Sequence, residues 1–311
     1  MPTSGREHDR SDTGGERDGR GGHIGLLRSP TPQCRDRIQR WVRAAVARGD
    51  KLVTVAVPPD LPIGAHSADR SEDGIPGGGD SGIPGGGERG GERGGERGID
   101  LGALPVLTPA ELRGEARQAR LVERALAEGY RGLGVLIWAD GSIAAVSPQG
   151  HASIETSLAA LCRAQPVSVL CVYDRGGAGT RQLDLAVAHH PDELRDQQAL
   201  VHHDRHRLTL GGEFDLDNLD VLSAALRTLT AMDAIDAPGA SPPAVPTLQV
   251  DLRQLKFLSV AAARTLDVAT AGYRRHGGRV ELHHPSPHFT TVLHLLNLHR
   301  LPGLTLPSGA S

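Results

Sequence analysis

Apolar positions along the chain fall into two kinds of run that alternate. Short stretches in which nearly every residue is apolar, HIGLL (His23 to Leu27), KLVTVAV (Lys51 to Val57), LGVLIW (Leu133 to Trp138) and VSVLCVY (Val167 to Tyr173), predict strands buried on both faces. Between them lie helical spacings. Ile38, Trp41, Val42, Ala45 and Val46 follow the i, i+3, i+4, i+7, i+8 pattern behind Ser29-Pro30-Thr31-Pro32, and Gly49 stops them. Thr108-Pro109-Ala110-Glu111 is a capping box with proline at the first helical position. It predicts a helix carrying Leu112, Leu121, Val122, Ala125 and Leu126 up to Gly129. His151 to Arg163 is a third helix by its Ile154, Leu158 and Leu161, and Arg181 to Ala188 a fourth, before the His-His-Pro break at 189 to 191. Wholly apolar strands alternating with helices predict a parallel α/β sheet with helices on both sides.

The last third of the chain repeats the logic with half-buried strands. Leu248, Val250 and Leu252 alternate with polar neighbours, and Leu255, Phe257 and Leu258 lead on into a helix capped by Ser259. Ala262, Leu266, Ala269 and Tyr273 share one face of that helix, Gly277-Gly278 ends it, and Arg279 to Leu282 starts another strand. Such a βαβ crossover favours parallel strands of right-handed connection. A helix from Asp217 to Ala231 precedes it, with Leu219, Leu222, Leu226 and Leu229 on one face, and a Pro-rich loop, Ala237 to Pro246, intervenes. The final helix starts at Ser286-Pro287 and uses Phe289, Val292, Leu293 and Leu296.

Low-complexity sequence sets the boundaries. Residues 1–20 have almost no apolar side chains, and about 65–98 collapse into GIPGGGDSGIPGGG and GERGGERGGERG, which bury too little apolar surface to offset the entropy of ordering. The expected organisation is a disordered tail at 1–20, an N-terminal domain at 21–198 interrupted by a disordered Gly-rich insert at about 65–98, and a C-terminal domain at 200–311. At 311 residues and a net charge of −3, the chain is long enough for two cores and carries no nucleic-acid footprint. In the Glu-Arg triplets each Glu cancels an Arg, and no aromatics are interleaved for RNA stacking. Lysine occurs only at Lys51 and Lys256, a bias suggestive of a GC-rich bacterial genome. Cys34, Cys162 and Cys171 lie in apolar or helical surroundings without CxxC spacing, which reads as reduced, buried thiols. No run reaches the roughly 18 apolar residues of a membrane span, and the N-terminus lacks a signal-peptide core, so a cytoplasmic protein without membrane contact is expected.

Three motifs in the C-terminal region carry a family resemblance: the Gly-Glu-Phe-Asp turn within RLTLGGEFDLDNLDVLSAAL (Arg207 to Leu226), the DLRQLKFL strand (Asp251 to Leu258), and the Pro-Ser-Pro helix start in HHPSPHFTTVLHLLNLHRL (His283 to Leu301). With LQVDLRQLKFLSVAAARTLDVATAGYRRHGGRVEL (Leu248 to Leu282) they resemble a STAS domain, the fold of bacterial anti-sigma factor antagonists. The resemblance implies a protein partner, an anti-sigma factor or a related kinase-like protein. It places the binding loop at Ser259, Val260, Ala261, Ala262 and Arg264. The family's phosphorylated hydroxyl residue falls on Ala261, so phosphorylation is not expected to be the switch.

A second resemblance rests on HIGLL, AAVARGDKLVTVAV, LAEGYRGLGVLIW and PVSVLCVYDR followed by AVAHHP, over Gly21 to Pro191. In that order they resemble a MEDS domain, the sensory module of methanogen and methylotroph regulators and a distant relative of RecA-like ATPases. It implies a RecA-like parallel α/β sensory domain joined to a C-terminal STAS domain, an order found in actinobacterial proteins.

The candidate chemistry is sparse. A P-loop needs GxxxxGK[ST], and neither lysine follows one, so nucleotide hydrolysis is not expected. No nucleophile elbow, zinc-protease motif or paired carboxylates at a catalytic spacing stand out, and the chain reads as a non-enzyme without cofactors. His202, His203 and His206, and His283, His284 and His288, cluster without completing carboxylates or cysteines, so no metal site is expected. For a small molecule or nucleotide in the N-terminal domain, the candidates are His23, which opens the first strand, with Trp138, Tyr173 and Asp174 at the carboxyl ends of the strands. The expected function is that of a signalling protein in which this sensory domain controls the STAS-like domain. The alternative is a ligand-binding module whose STAS-like part is structural.

Overall fold

A computed structural model describes residues 22–29, 31–57, 99–176, 179–204, 206–235 and 247–306, with the side chains of 232–235 excepted. The expected tail, the Gly-rich insert and the loop Ala237 to Pro246 lie outside the described residues.

The N-terminal elements are β1 (His23–Arg28), α1 (Pro32–Arg48), β2 (Asp50–Val55), β3 (Val106–Leu107), α2 (Glu115–Ala127), β4 (Gly132–Trp138), α3 (Ala139–Ala164), β5 (Val167–Asp174) and α4 (Thr180–His189). Next come β6 (Leu194–Arg195), β7 (Ala199–His203), β8 (Arg207–Phe214), α5 (Leu219–Ile235), β9 (Thr247–Leu258), α6 (Val260–Arg275), β10 (Arg279–His283), α7 (Pro287–Leu295) and β11 (Leu304–Thr305). Among the described residues the strands form one sheet of eleven, ordered β11-β10-β9-β8-β7-β6-β1-β5-β4-β2-β3. Every neighbouring pair is parallel except β6–β7 and β7–β8, so β7 alone runs against the rest.

Local chemistry explains most element ends. Gly49 takes φ 82° and closes α1, and Gly277 takes φ 92° behind α6, conformations that glycine adopts without penalty. Two elements depart from expectation. The capping box forms, with Thr108 N–H donating to Glu111 at 2.7 Å, but it starts only a 3-10 turn over Pro109–Leu112; α2 begins afresh after Gly114 at φ 90°. α3 begins twelve residues before His151 and is broken at Ser147 (φ 73°) in front of Pro148, which cannot continue a helical hydrogen-bond ladder. Leu255, Phe257 and Leu258 complete β9 up to the Ser259 cap, as the DLRQLKFL strand and its capped helix predict.

The two faces of the sheet differ. On one, α1 covers Leu26, Leu52, Leu136, Trp138, Leu170 and Val172 with Cys34, Ile38, Val42 and Ala45. On the other, a single apolar core runs the whole width of the sheet, from Leu112 and Val122 to Leu293 and Leu304. The N-terminal half therefore carries helices on both sides, as expected. The C-terminal half buries one side under α5, α6 and α7, while Thr209, Gln249, Glu281 and His283 on the other side remain partly open.

The expected boundary near residue 198 coincides with a hairpin, not a linker. β6 pairs with β1, β7 pairs with β8, and the two pair with each other, so the sheet passes through the junction. Gly212 makes the close approach: it has φ 74°, and a Cβ there would lie 1.9 Å from the Gln198 carbonyl oxygen. Arg175 bridges Asp196 and Asp220, each at 2.8 Å, and Arg227 reaches Asp184 on α4 at 2.7 Å.

Candidate functional site

Two places concentrate chemistry. The first is the end of the sheet where β8 and β9 finish side by side, with Glu213 opposite Phe257 and Phe214 opposite Leu258. Ser259 caps α6, its hydroxyl accepting from Ala262 N–H at 3.1 Å while its own N–H donates to the Phe214 carbonyl at 2.9 Å. Around this start lie exposed apolar side chains: Leu216 at 75 %, Phe257 at 42 % and Val260 at 50 %. Arg264 is exposed one turn on, and Ala261 is half-buried. Ala262, expected in the binding loop, is instead fully buried beside Ala263, because that side of the helix packs on the sheet. The usable surface is thus Ser259, Val260, Ala261 and Arg264, joined by Leu216 and Phe257.

The second place lies inside the N-terminal domain, on the face covered by α3 and α4. Glu155 on α3 has no exposure, and its carboxylate is surrounded by His23 Nε2 at 2.6 Å, His151 Nε2 at 2.9 Å and His190 Nε2 at 3.5 Å. Cys171 Sγ sits 3.2 Å from Glu155 Oε2 and 3.4 Å from His23 Nε2. Tyr173 donates its hydroxyl to Glu155 Oε1 at 3.2 Å, and His151 Nδ1 meets Ser142 across the α3 break at 3.1 Å. Burial opposes a charge on Glu155, but the imidazoles, His23 foremost, outweigh it and hold the carboxyl well below its usual range. Burial, with the Glu155 charge adding, pushes the Cys171 thiol and the Tyr173 phenol well up. Burial and the neighbouring His23 bring His190 down to about 3, so its ring is neutral.

The strands dictate this convergence. On β1 and β5, His23, Gly25, Cys171 and Tyr173 point to the same face by period-two alternation, with Gly25 opposite Cys171 and Leu27 opposite Tyr173. Gly25 opens the space: a Cβ there would stand 2.7 Å from His190 Cγ. His151 and Glu155 come from one helical face at i, i+4. Of the candidate ligand residues, His23 and Tyr173 join this cluster. Trp138 lies on the opposite face of the sheet, its indole N–H donating to Thr54 at 3.2 Å, and Asp174 pairs with Arg28 at 2.9 Å. These four do not line one pocket. The clusters at 202 to 206 and 283 to 288 also disperse: buried His203 donates to the Val187 carbonyl at 2.8 Å, while His284 meets Asp251 at 3.2 Å.

Comparison with curated proteins returned no match. A family model described as "Mlab, STAS domain" matches residues 199–306, which starts at the first residue of β7 and ends one residue after β11. Among the described residues no helix is long and apolar enough to cross a membrane. The C-terminal part of the chain, residues 199–306, is a STAS domain.

Proposed function

We propose that this is a cytoplasmic, non-enzymatic signalling protein. In this reading the STAS domain binds a protein partner, an anti-sigma factor or related kinase-like protein, under control of a sensory, MEDS-like N-terminal domain. The observation that carries it is the exposed apolar group Leu216, Phe257 and Val260 beside Arg264, gathered at the start of α6 where STAS-like partners are expected to dock. Ala261 offers no hydroxyl there, and the Ser259 hydroxyl is engaged in capping. Control therefore comes from the N-terminal domain, and the shared sheet with its Arg175 and Arg227 bridges supplies a rigid route.

The test is affinity capture from native lysate with the full chain and its Ala261→Asp variant. Retention of a kinase-like or sigma-related protein by the wild type, and its loss with the aspartate, is the expected result. No specific protein on either form, or the same set on both, refutes the reading.

A further inference from the structure

We propose that His23, Glu155, Cys171 and His190 bind one divalent d-block metal ion, of the zinc class, in the core of the N-terminal domain. The inference stands whether or not the STAS domain finds its partner. One atom from each of the four residues lies within 4.8 Å of the others, and all four side chains are buried. They come from four separate elements: β1, α3, β5 and the end of α4.

The strongest pointer is a pair of acceptors that face each other. His190 Nδ1 donates to the Ala186 carbonyl at 2.7 Å, and the neutral ring then leaves a bare lone pair on Nε2. That atom is buried without a hydrogen-bond partner and stands 3.5 Å from Glu155 Oε2, which is itself an acceptor. Two acceptors confronting each other in a dry core leave the His190 nitrogen without a partner, and a cation between them supplies one. A backbone carbonyl that fixes the distal tautomer is also the usual second partner of a metal-binding histidine.

Geometry and charge agree. Zinc bond lengths imply tetrahedral edges of about 3.3 Å between nitrogen and oxygen and about 3.6 Å to sulfur. The observed separations are 3.5 Å for Glu155 to His190, 3.2 Å for Cys171 to Glu155 and 3.4 Å for Cys171 to His23. Of these four edges the 2.6 Å contact of His23 with Glu155 must open most, by about 0.7 Å, as the ion replaces that hydrogen bond. Binding breaks the Cys171 S–H bond, forms a metal–sulfur bond and sends that proton to solvent, while the Nε2 proton that His23 donates to Glu155 moves to the ring's own unpartnered Nδ1, freeing Nε2 for the ion. A thiolate, a carboxylate and two neutral imidazoles then sum to −2, so a divalent ion yields a neutral unit, the form a low-dielectric core tolerates best. Thiolate with imidazole selects zinc, cobalt or a neighbouring borderline ion over magnesium or calcium. Four protein ligands make a closed site, of structural or sensing type and not catalytic. His151 at 2.9 Å and Tyr173 at 3.2 Å hold the other carboxylate oxygen in place.

The experiment uses the full chain, stripped with a chelator and titrated with Co²⁺. The expected result is one equivalent bound, with tetrahedral d–d bands and a sulfur-to-cobalt charge-transfer band that Zn²⁺ displaces. Cys171→Ser should abolish the charge-transfer band while Cys162→Ser leaves it unchanged, and His190→Ala should weaken Co²⁺ by more than the ~100-fold typical of losing an outer-shell partner. Zinc-edge X-ray absorption on wild type does not depend on how the variants fold, and should show one sulfur and three nitrogen or oxygen neighbours. No bound cobalt, a charge-transfer band that survives Cys171→Ser, or a sulfur-free shell overturns the proposal.

Discussion

Gly25→Ala probes the construction of the buried cluster most sharply. The added methyl would sit 2.7 Å from His190 Cγ, 3.0 Å from its Nδ1 and 2.7 Å from Leu194 Cδ1. Carbon atoms pack at about 3.5–4.0 Å, so the His190 ring must retreat by about 1 Å. It is poorly able to do so: its Nδ1–H is tied to Ala186 at 2.7 Å, and its face lies against His23 with ring centres 4.5 Å apart. Leu194 is the flexible end of a side chain and yields more easily. Overpacking of this kind costs about 1–3 kcal/mol. Urea unfolding should show that loss with an unchanged slope, and a domain of this size should melt roughly 2–12 °C lower. In a His190→Ala background the ring is gone, and most of the cost of Gly25→Ala should disappear. Costs that add to within about 0.5 kcal/mol in the two backgrounds would refute the argument that Gly25 exists to admit His190.

Three further outcomes follow from particular contacts. Ser259→Ala removes the acceptor for Ala262 N–H and should destabilise the C-terminal domain by about 0.5–2 kcal/mol in urea, with Ser259→Asp largely restoring it. Gly212→Ala combines φ 74° with a Cβ 1.9 Å from a backbone oxygen, whereas Gly211→Ala meets side chains at 3.3–3.4 Å; calorimetry should find the first worse by more than about 3 kcal/mol. Burial lowers the His203 pKa, so the folded protein binds fewer protons there than the unfolded chain. Stability present above about pH 6.5 is therefore lost as pH falls below it, by up to about 1.4 kcal/mol per unit, and the urea midpoint of His203→Gln should fall less steeply between pH 7 and 5.5.

Much of the scaffold is legible in the sequence because its signals are local. Apolar runs mark β1, β2, β4 and β5 to within a residue or two, Gly49 and Gly277 mark helix ends, and Ser259 and Ser286 act as caps with hydroxyls accepting at 3.1 and 3.2 Å. What escapes the sequence depends on distant partners. β6 has two residues and β7 alternates weakly, so neither announces a strand until β1 and β8 supply the edges they join. Trp138 and Tyr173 both end strands, but their registers turn them to opposite faces. The buried cluster draws on residues from 23 to 190, and a histidine in an apolar strand carries no mark of what it will meet. Two signals were available: His151 and Glu155 at i, i+4, and the shared parity of Cys171 and Tyr173 on β5.

In the proposed function the N-terminal domain governs the partner surface of the STAS domain through the shared sheet. Hydrogen exchange of the full chain beside its Glu155→Gln variant tests it most directly, since the change removes a buried charge while keeping the shape of the side chain. Altered protection is expected in β1, β5 and α4, continuing through the β6–β7 hairpin to the amides of Ser259 to Arg264. Changes confined to the N-terminal elements, with the start of α6 exchanging as in the wild type, would contradict it.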